Sequence, residues 1–362
     1  MGEGLLLLMF VVGLALVFDY INGFHDTANA IATVVSTNVL PPRTAVLMAG
    51  LFNFVGAFMG TGVAKTIGGD IVDPATITQT VIAAALVGAI VWNLITWYFG
   101  IPSSSSHALV GGLCGAVIMH RLFAVGFSGP IMDVFVHRPD KPNGVVTTVK
   151  FLVLSPLFGL LSGFFIMVIL TWIVKPFAPT KVNKSFKALQ LISSGSMALS
   201  HGSNDAQKAM GIVTMACLSY YKLQQNGVLP DWLALDAKGQ AEVPLWVKAA
   251  CATAIGLGTA AGGWRIMKTM GHKIIKLKPI HGFAAETAGA AVIQVATHWF
   301  HAPVSTTHVI SSSIMGVGAS KRISAVRWGI AGNIFVAWVL TIPVSCLVAM
   351  ICYVVLRPLL GP

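Results

Sequence analysis

Long stretches without any Asp, Glu, Lys or Arg constrain this 362-residue sequence more than any other feature. A helix that crosses a bilayer needs about 20 predominantly apolar residues, and several stretches reach or exceed that length. They cover residues 4–18, 44–64, 74–120, 151–174, 188–204, 249–264, 287–320 and 328–356. Charged residues make up only 10% of the chain, compared with roughly 25% in typical soluble domains. The sequence therefore predicts an all-α integral membrane protein.

Glycine and proline interrupt the two longest stretches. Gly100-Ile101-Pro102 divides residues 74–120 into a span near 79–99 and a second membrane-embedded segment, and Ala302-Pro303 divides residues 287–320 in the same way. The segment 4–18 is interpreted as a retained span, because it lacks the positive region and the Ala-x-Ala site of a signal peptide. Three further stretches each fit one helix: 44–64, 151–174 and 328–356. We expect about 10 to 12 transmembrane segments, including broken helices.

The net charge of +11 is concentrated in short loops between the apolar stretches. Two basic clusters stand out: Lys175, Lys181, Lys184 and Lys187, and Arg265, Lys268, Lys273, Lys276 and Lys278. This distribution is typical of cytoplasmic loops under the positive-inside rule. No aromatic residues are interleaved on a basic face, so the charge does not indicate nucleic-acid binding. The five cysteines form no CxxC pair, which argues against a disulfide framework or a zinc site.

Three motifs recur in the same order in two parts of the chain. Residues 22–30 align with 201–209, residues 65–68 with 268–271, and residues 102–107 with 303–308. Three matches in register indicate an internal duplication. We therefore divide the chain into a first repeat, a connecting transmembrane helix with a cytoplasmic basic loop, and a second repeat. Their respective ranges are 1–150, 151–187 and 188–362.

Equivalent loops of the two repeats carry opposite charge. Loop 265–278 has five positive charges and no negative ones, whereas its counterpart 65–78 has a net charge of −1. Loop 36–44 carries only a positive charge, whereas its counterpart 218–245 is net negative. Loops on opposite sides of the membrane would show this bias, which predicts an inverted-topology repeat of the kind found in secondary transporters.

The side of the membrane is left open for the basic residues that follow residues 303–308, the second Pro-Ser/Thr segment. Lys321, Arg322 and Arg327 would be external if that segment is a re-entrant hairpin, and internal if the segment spans the membrane.

An acidic residue lies at the same position of the first motif in each repeat: Asp26 and Asp205. Acidic groups inside apolar segments are costly and usually functional. Gly23 and Gly202 weaken the helix beside them, so we expect unwound backbone whose carbonyl groups could bind cations. Neutral oxygens and amide donors come from Asn29, Asn204 and Gln207. These segments are predicted to form an ion and substrate site, and the alternative is that each Asp caps a broken helix.

Hydroxyl side chains follow Pro102 and Pro303 at the start of a predicted helix in each repeat. They are Ser103, Ser104, Ser105 and Ser106 in the first repeat and Ser305, Thr306 and Thr307 in the second. A helix start presents free N–H groups and the positive end of its dipole to an anion. Because N-capping accounts for only one hydroxyl per helix, the surplus favours an anion-binding cradle.

Five further side chains have open roles. His107 and His308, a symmetric pair after the hydroxyl runs, either donate to substrate or fix the hairpins by hydrogen bonding. Lys208 either faces the substrate or serves as counter-ion to Asp205. Glu286 has no acidic counterpart in the first repeat; it is neutral, is paired with Lys208 or Lys278, or carries a coupling proton. Asp19 is likewise either a pore-facing acid or a packed structural one.

A count of charge favours co-transport. Asp26, Asp205 and a bound anion such as phosphate bring about three to four negative charges into a low-dielectric site. Lys208 is the one basic residue within these motif segments. Small cations or protons must therefore enter with the anion, which predicts a symporter.

Residues 23–30 and 202–208 resemble the duplicated signature of the inorganic phosphate transporter (PiT) family, and the resemblance extends through residues 303–308. It implies phosphate transport in symport with Na⁺ or H⁺, by alternating access around a midplane site, with no cofactor. It also implies an inverted-repeat fold with two Pro-Ser/Thr helical hairpins, and a homodimer. Carried over by position, Asn29, Asn204, Gln207 and the seven hydroxyls would bind phosphate. Asp26 and Asp205, with Asn29 and Asn204, would bind the cation, Na⁺ if coupling is to sodium.

The first motif departs from the family pattern, because His25 precedes Asp26 where the second motif has Asn204. An imidazole there replaces an oxygen ligand and favours proton coupling, since histidine titrates near neutral pH.

Two alternatives remain: a sulfate or other oxyanion permease of the same fold, and a channel. Sulfate has no proton to donate to Asp26 or Asp205, so an acceptor-rich site disfavours it. GxSxG and HExxH are absent from the sequence, so we do not expect a hydrolase. A prokaryotic inner or plasma membrane is the expected location.

Overall fold

Helices dominate the computed structural model, which describes residues 2–72, 77–126, 144–224, 228–233, 235 and 241–361. These residues contain twelve α-helices and one isolated β-bridge, between Leu235 and Ala241. The helices are α1 (Gly2–Ser36), α2 (Pro42–Gly56), α3 (Gly62–Gly69), α4 (Gln79–Phe99), α5 (Ser105–Val125), α6 (Gly144–Val174), α7 (Pro179–Gln224), α8 (Leu245–Ala261), α9 (Trp264–Lys268), α10 (Pro279–His298), α11 (Thr306–Lys321) and α12 (Trp328–Leu360). A π-helical turn (Thr269–Lys273) extends α9, and a 3₁₀ turn (Ile323–Ala325) follows α11. The predicted all-α class is confirmed.

Five described helices are long and apolar enough to cross a membrane, namely α1, α4, α5, α6 and α12. The bent pair of α8 and α9, with its π-turn, would add a sixth. Large apolar side chains such as Phe165 and Trp172 on α6, and Phe335 and Ile351 on α12, are exposed. Exposed apolar surface on this scale is typical of contact with lipid. The chain is a multi-pass membrane protein, and the total of 10 to 12 segments stays a prediction.

Both predicted interruptions of the longest apolar stretches are present. Helix α4 ends before Gly100, whose φ of 66° is a left-handed conformation that favours glycine. Helix α5 begins after Ser104, and α11 begins after Ser305. Pro102 and Pro303 lie in the extended segments between these helices, where the missing proline N–H costs no helical hydrogen bond.

The prediction of one helix over residues 44–64 is wrong. Helix α2 ends at Gly56 and α3 begins at Gly62, so the chain turns between them. A side chain at Gly56 would overlap the backbone of Leu199 on α7, so α2 ends where it lies closest to its neighbour. Uncharged sequence alone does not reveal such a turn.

Unwound backbone at Gly23 and Gly202 is also a wrong prediction, because α1 and α7 are helical through both residues. Each glycine instead permits close helix packing. A Cβ atom at Gly23 would overlap the Ile255 carbonyl on α8, and one at Gly202 would overlap the backbone of Asn53 on α2. The alternative that the aspartates cap broken helices fails for the same reason.

Helix contacts occur in equivalent pairs. Helix α1 packs against α8, and α7 packs against α2; α3 contacts α7, and α9 contacts α1. In the same way α6 covers α11 and α10, while α12 covers α5 and α4. The contacts of α1 to α6 therefore match those of α7 to α12, taken in the same order. Residue 150, the predicted end of the first repeat, lies inside α6.

The two central helices, α1 and α7, run antiparallel. Thr37 near the end of α1 donates to Gln190 near the start of α7, at 2.9 Å. Asp26, earlier on α1, lies beside His201 and Asp205, later on α7. The equivalent helices α1 and α7 therefore point in opposite directions.

The turn after α11 lies on the face of the molecule that carries the basic loop 265–278. The Arg327 N–H donates to the Ile274 carbonyl at 3.1 Å, and its guanidinium donates to the His272 carbonyl at 3.4 Å. Helix α10 therefore begins at this face, and α11 ends at the same face. Lys321, Arg322 and Arg327 therefore lie on the same side as the basic loop although α11 returns to that face, so neither alternative, external with a re-entrant hairpin or internal with a spanning segment, holds as stated. Asp73, Asp236 and Lys238, which enter the charge comparison, lie outside the described residues.

Two glycines at equivalent positions set the closest approach of the outer helices. A Cβ atom at Gly115 would overlap the backbone of Cys346 on α12, and one at Gly316 would overlap the backbone of Leu160 on α6. We expect Gly316→Ala to lower the free energy of unfolding by about 1–3 kcal/mol through overpacking. Gly332→Ala on α12 is the matched control, because nothing lies within 4 Å of its new methyl group. Thermal unfolding of the purified protein in detergent measures both, and equal melting temperatures would contradict the packing role.

Candidate functional site

Two buried aspartates lie at the centre of the molecule, where α1 and α7 cross. Asp26 is 1% exposed and Asp205 is fully buried. Ligand atoms of Asp26, Asp205 and His201 all lie within 4.8 Å of one another. The duplication thus brings its two acidic residues into one site. Three such groups can hold a cation, which fits the predicted role of both carboxylates.

Asp26 is held by side chains from two helices. His25 lies 2.6 Å from one carboxylate oxygen through Nδ1, and the Ser105 hydroxyl donates to the other oxygen at 3.1 Å. The second ring nitrogen of His25 lies 3.0 Å from the Thr96 hydroxyl. The His25 side chain therefore connects Asp26 on α1 to α4.

Asp205 has an equivalent hydroxyl and a different base. Thr306, at the position equivalent to Ser105, donates to Asp205 at 3.2 Å. Lys208 forms an ion pair with the other carboxylate oxygen at 2.5 Å, and His201 approaches at 3.3 Å. Of the two roles left open for Lys208, the structure supports that of counter-ion to Asp205.

Lys208 also contacts both of the Pro-Ser/Thr segments, residues 102–107 and 303–308. Its ammonium group, itself only 1% exposed, donates to the Ser106 hydroxyl and to the Val304 carbonyl. Ser106 in turn donates to the same carbonyl, at 3.1 Å. One cation therefore connects α7 to the start of α5 and to the segment before α11.

The remaining hydroxyls divide between capping and the site. Ser104 and Ser305 are N-caps, which accept from the N–H groups of His107 and His308. Ser103 donates to Thr96 at 2.8 Å, and Thr307 accepts from Asn29 at 3.0 Å. One hydroxyl per helix thus serves as a cap, and the surplus hydroxyls contact the polar side chains around the aspartates.

The three amide side chains have different surroundings. Asn29 donates to Thr306 and Thr307, and Asn204 donates to Thr297 on α10. The buried carbonyl oxygens of Asn29 and Asn204 accept no hydrogen bond from any described residue, so both are free to bind a cation. The Gln207 amide instead accepts from the first N–H groups of α3 and donates to the Ser203 carbonyl. The Gln207 amide thus binds the start of α3 and the backbone of its own helix, and it does not contact the aspartates.

His107 and His308 lie against each other, with ring centroids 4.4 Å apart. His308 also stacks on Trp338 at 4.0 Å, and His107 Nδ1 lies 2.8 Å from the Ser104 hydroxyl. Both rings are buried where α5 and α11 begin. Of the two roles left open, these contacts support fixing the two segments.

Glu286 lies in a separate buried cluster nearer the end of α1. It accepts from Thr33 and Ser193, and from Gln190 at 3.4 Å. These partners replace the predicted pairing with Lys208 or Lys278. Asp19 is fully buried on α1, two turns before Asp26, so it belongs to the interior of the protein.

Three contacts of the site were not predicted. His201 contacts Asp205, Thr96 binds His25, and Thr297 binds Asn204. His201 and Asp205 are four residues apart on one helix, so helical spacing could have indicated that contact. Thr96 on α4 and Thr297 on α10 belong to neighbouring helices, and nothing in the nearby sequence indicates their contacts.

Comparison with known proteins assigns the chain to a family. The model of the phosphate transporter family matches residues 22–349. The chain belongs to this family. It is 48% identical to a probable low-affinity inorganic phosphate transporter of Bacillus subtilis, over 98% of each chain. It is 47% identical to a protein of the same name from Rhizobium meliloti, over 96% of each chain.

A solved structure has the same fold. It is titled the sodium-dependent phosphate transporter and superposes with a TM-score of 0.77 at 25% sequence identity. The match covers 97% of this chain and 99% of that one. All of the site side chains described above, apart from Asp19, lie within the range matched by the family.

The buried ion pair yields a stability test. Lys208→Met leaves Asp205 without its ammonium partner, so we expect the free energy of unfolding to fall by about 3–5 kcal/mol. The double variant Lys208→Met/Asp205→Asn should recover part of the loss, because no unpaired carboxylate remains. Lys222→Met, at an exposed position of the same helix, is the control. Thermal unfolding in detergent measures the series, and a double variant less stable than Lys208→Met would contradict the pairing.

Proposed function

We propose that this protein is a secondary active transporter that carries inorganic phosphate across the membrane in symport with a cation. The observation that carries the proposal is the pair of equivalent contacts, Ser105 with Asp26 and Thr306 with Asp205, in one buried site. Hydroxyl groups at the starts of α5 and α11 thereby contact two carboxylates. Groups that can bind an anion and groups that can bind a cation therefore lie in one site. The family membership and the names of the relatives support phosphate as the anion.

Phosphate is held by the starts of α5 and α11. Their free N–H groups and helix dipoles favour an anion, and Ser103, Ser105, Ser106, Thr306 and Thr307 supply hydroxyl donors. Lys208, between the two segments, adds a positive charge. Monohydrogen phosphate can donate its proton to a carboxylate, whereas sulfate has none to donate, so the aspartates discriminate against sulfate.

Charge balance requires a coupled cation. Asp26 and Asp205 face one fixed cation, Lys208, so a bound phosphate leaves two to three negative charges uncompensated in a buried site. Na⁺ would be held by the two carboxylates with the free amide oxygens of Asn29 and Asn204. A proton would be held at His25, which is hydrogen-bonded to Asp26. We propose the proton as the coupling ion of the first repeat, because an imidazole occupies the place that Asn204 has in the second.

Alternating access follows from an inverted repeat. The equivalent helices α1 and α7 run antiparallel. The basic clusters at 175–187 and 265–278 lie on one face, because Phe186 contacts Phe283, and the positive-inside rule assigns such a face to the cytoplasm. We infer that the two sets of six helices have opposite orientations in the bilayer and rock around the midplane site. The two Pro-Ser/Thr segments, with their flanking helices, are the hairpins that close the site. A bacterial plasma membrane and a homodimer complete the proposal; light scattering of the purified protein tests the dimer.

Uptake of radiolabelled phosphate into proteoliposomes tests the transport proposal. We expect accumulation under an inward gradient of H⁺ or Na⁺ and none without a gradient, because phosphate needs a compensating cation. Sulfate in excess should not compete. Asp26→Asn and Asp205→Asn should abolish uptake, whereas Asp231→Asn, at an exposed position, should retain it. Flux without any gradient would indicate a channel, and strong competition by sulfate would indicate a general oxyanion permease.

The His25→Asn variant tests the coupling ion, because it gives the first motif the residue of the second. We expect its uptake to lose the response to a proton gradient, since the proton-binding imidazole at Asp26 is gone. Initial rates measured with and without a pH gradient, for the wild type and for His25→Asn, give the comparison. His120→Asn, on α5 and paired with Tyr353, is the control. A wild type driven by Na⁺ alone, or an unchanged proton response in His25→Asn, would overturn the assignment.

A further inference from the structure

The repeated motif at residues 65–68 and 268–271 plays no part in the site described so far. Its threonines make equivalent contacts. The Thr66 hydroxyl on α3 donates to the His301 carbonyl at 2.8 Å, and the Thr269 hydroxyl after α9 donates to the Gly100 carbonyl at 2.9 Å. Each accepting carbonyl lies two residues before the proline of a Pro-Ser/Thr segment. Each contact also crosses between repeats, because α3 binds the second segment and α9 binds the first.

These two carbonyls need an external donor. In a continuous helix the Gly100 carbonyl would accept from the N–H of Ser104, but residues 101–104 are not helical. The same holds for His301 and Ser305. A backbone carbonyl without a partner in the interior of a membrane protein costs several kcal/mol, which applies to the part-buried contact of Thr269 with Gly100. The contact of Thr66 with His301 is exposed, so there the hydroxyl orders the segment without this burial cost. The threonine hydroxyls therefore fix the place where each helix ends and each extended segment begins.

The glycines of the motif anchor the threonines from the other side. A Cβ atom at Gly68 would lie 2.9 Å from the Gly211 carbonyl on α7, and one at Gly271 would lie 2.7 Å from the Ala32 carbonyl on α1. Ala32 and Gly211 occupy equivalent positions of the two central helices. Each motif copy therefore rests on the central helix of the other repeat through its glycine and holds that repeat's segment through its threonine.

We propose that Thr66 and Thr269 are positioning residues, each of which sets the phosphate-binding hydroxyls of the opposite repeat. Thr269 positions the segment that presents Ser105 to Asp26. Thr66 positions the segment that presents Thr306 to Asp205. The functional part of this inference rests on the proposed phosphate transport, whereas the structural part does not.

Hydrogen exchange of the phosphate-free protein tests the structural part. Thr269→Val, which keeps the shape and removes the hydroxyl, should accelerate amide exchange about tenfold over residues 101–107 and leave 302–308 unchanged. Thr66→Val should do the reverse. Thr269→Ser and Thr66→Ser keep the hydroxyl and should match the wild type. Acceleration in both segments with either valine variant, or none in either, would overturn the positioning role whether or not the protein carries phosphate.

Double variants test the functional part through the KM for phosphate uptake. Thr269→Val should raise KM about tenfold, the effect of one lost hydrogen bond, and Thr269→Ser should restore it. Adding Ser105→Ala to Thr269→Val should raise KM little further, whereas adding Thr306→Ala should multiply the two effects. Thr66→Val should show the opposite pattern with the same partners.

The outcomes separate the two proposals. Multiplicative effects in all four combinations, or a serine variant that fails to rescue, would overturn the assignment of each threonine to the opposite segment. A wild type that takes up no phosphate would refute the proposed function, and the exchange measurement would still decide the positioning role. Should Thr269→Val fail to fold, Thr66→Val carries the same comparison in the other direction.

Discussion

The ion pair between Asp205 and Lys208 is the interaction on which the centre of this protein depends. Burying a carboxylate is costly unless a partner charge and hydrogen bonds compensate it. Lys208 supplies that charge and at the same time donates to Ser106 and to the Val304 carbonyl. The same ammonium group therefore keeps Asp205 buried and holds together the start of α5 and the segment before α11.

The bilayer imposes the same demand on the backbone. Breaks in helices are tolerated only where other groups satisfy the freed N–H and C=O groups. Around Gly100 and Pro102 the donors are Thr269 and Trp338, and around His301 the donor is Thr66. Two extended segments can thus exist inside the protein because side chains from distant helices complete their hydrogen bonds.

Duplication produced a site that is symmetric in geometry and asymmetric in chemistry. Ser105 and Thr306 make equivalent contacts with the two aspartates. The bases differ, because Asp26 contacts an adjacent histidine whereas Asp205 contacts a lysine three residues later. Equivalent halves would bind two identical ligands equally well. The asymmetry gives the two aspartates different partners.

Much of this arrangement could be predicted from local sequence. The aspartates, the hydroxyl runs and the interruptions at Gly100 and Ala302 were all found because charge, capping residues and proline act within a few residues. Two of the wrong predictions come from a local interpretation of glycine. Gly23 and Gly202 were expected to unwind their helices, but each lies against a neighbouring backbone, and packing maintains the helix there.

Composition and residue spacing are sufficient to predict the membrane environment, the helical class, the duplication and the positions of the charged residues. Which of those residues contact one another depends on how the helices pack. Lys208 could have faced the substrate, Glu286 could have paired with a lysine, and Thr66 and Thr269 had no assigned partner. Contacts such as that of Thr269 with Gly100 join residues far apart in the chain, so they form only when the helices pack together. Hydrogen-bond partners across such distances leave no periodic signal in a single sequence.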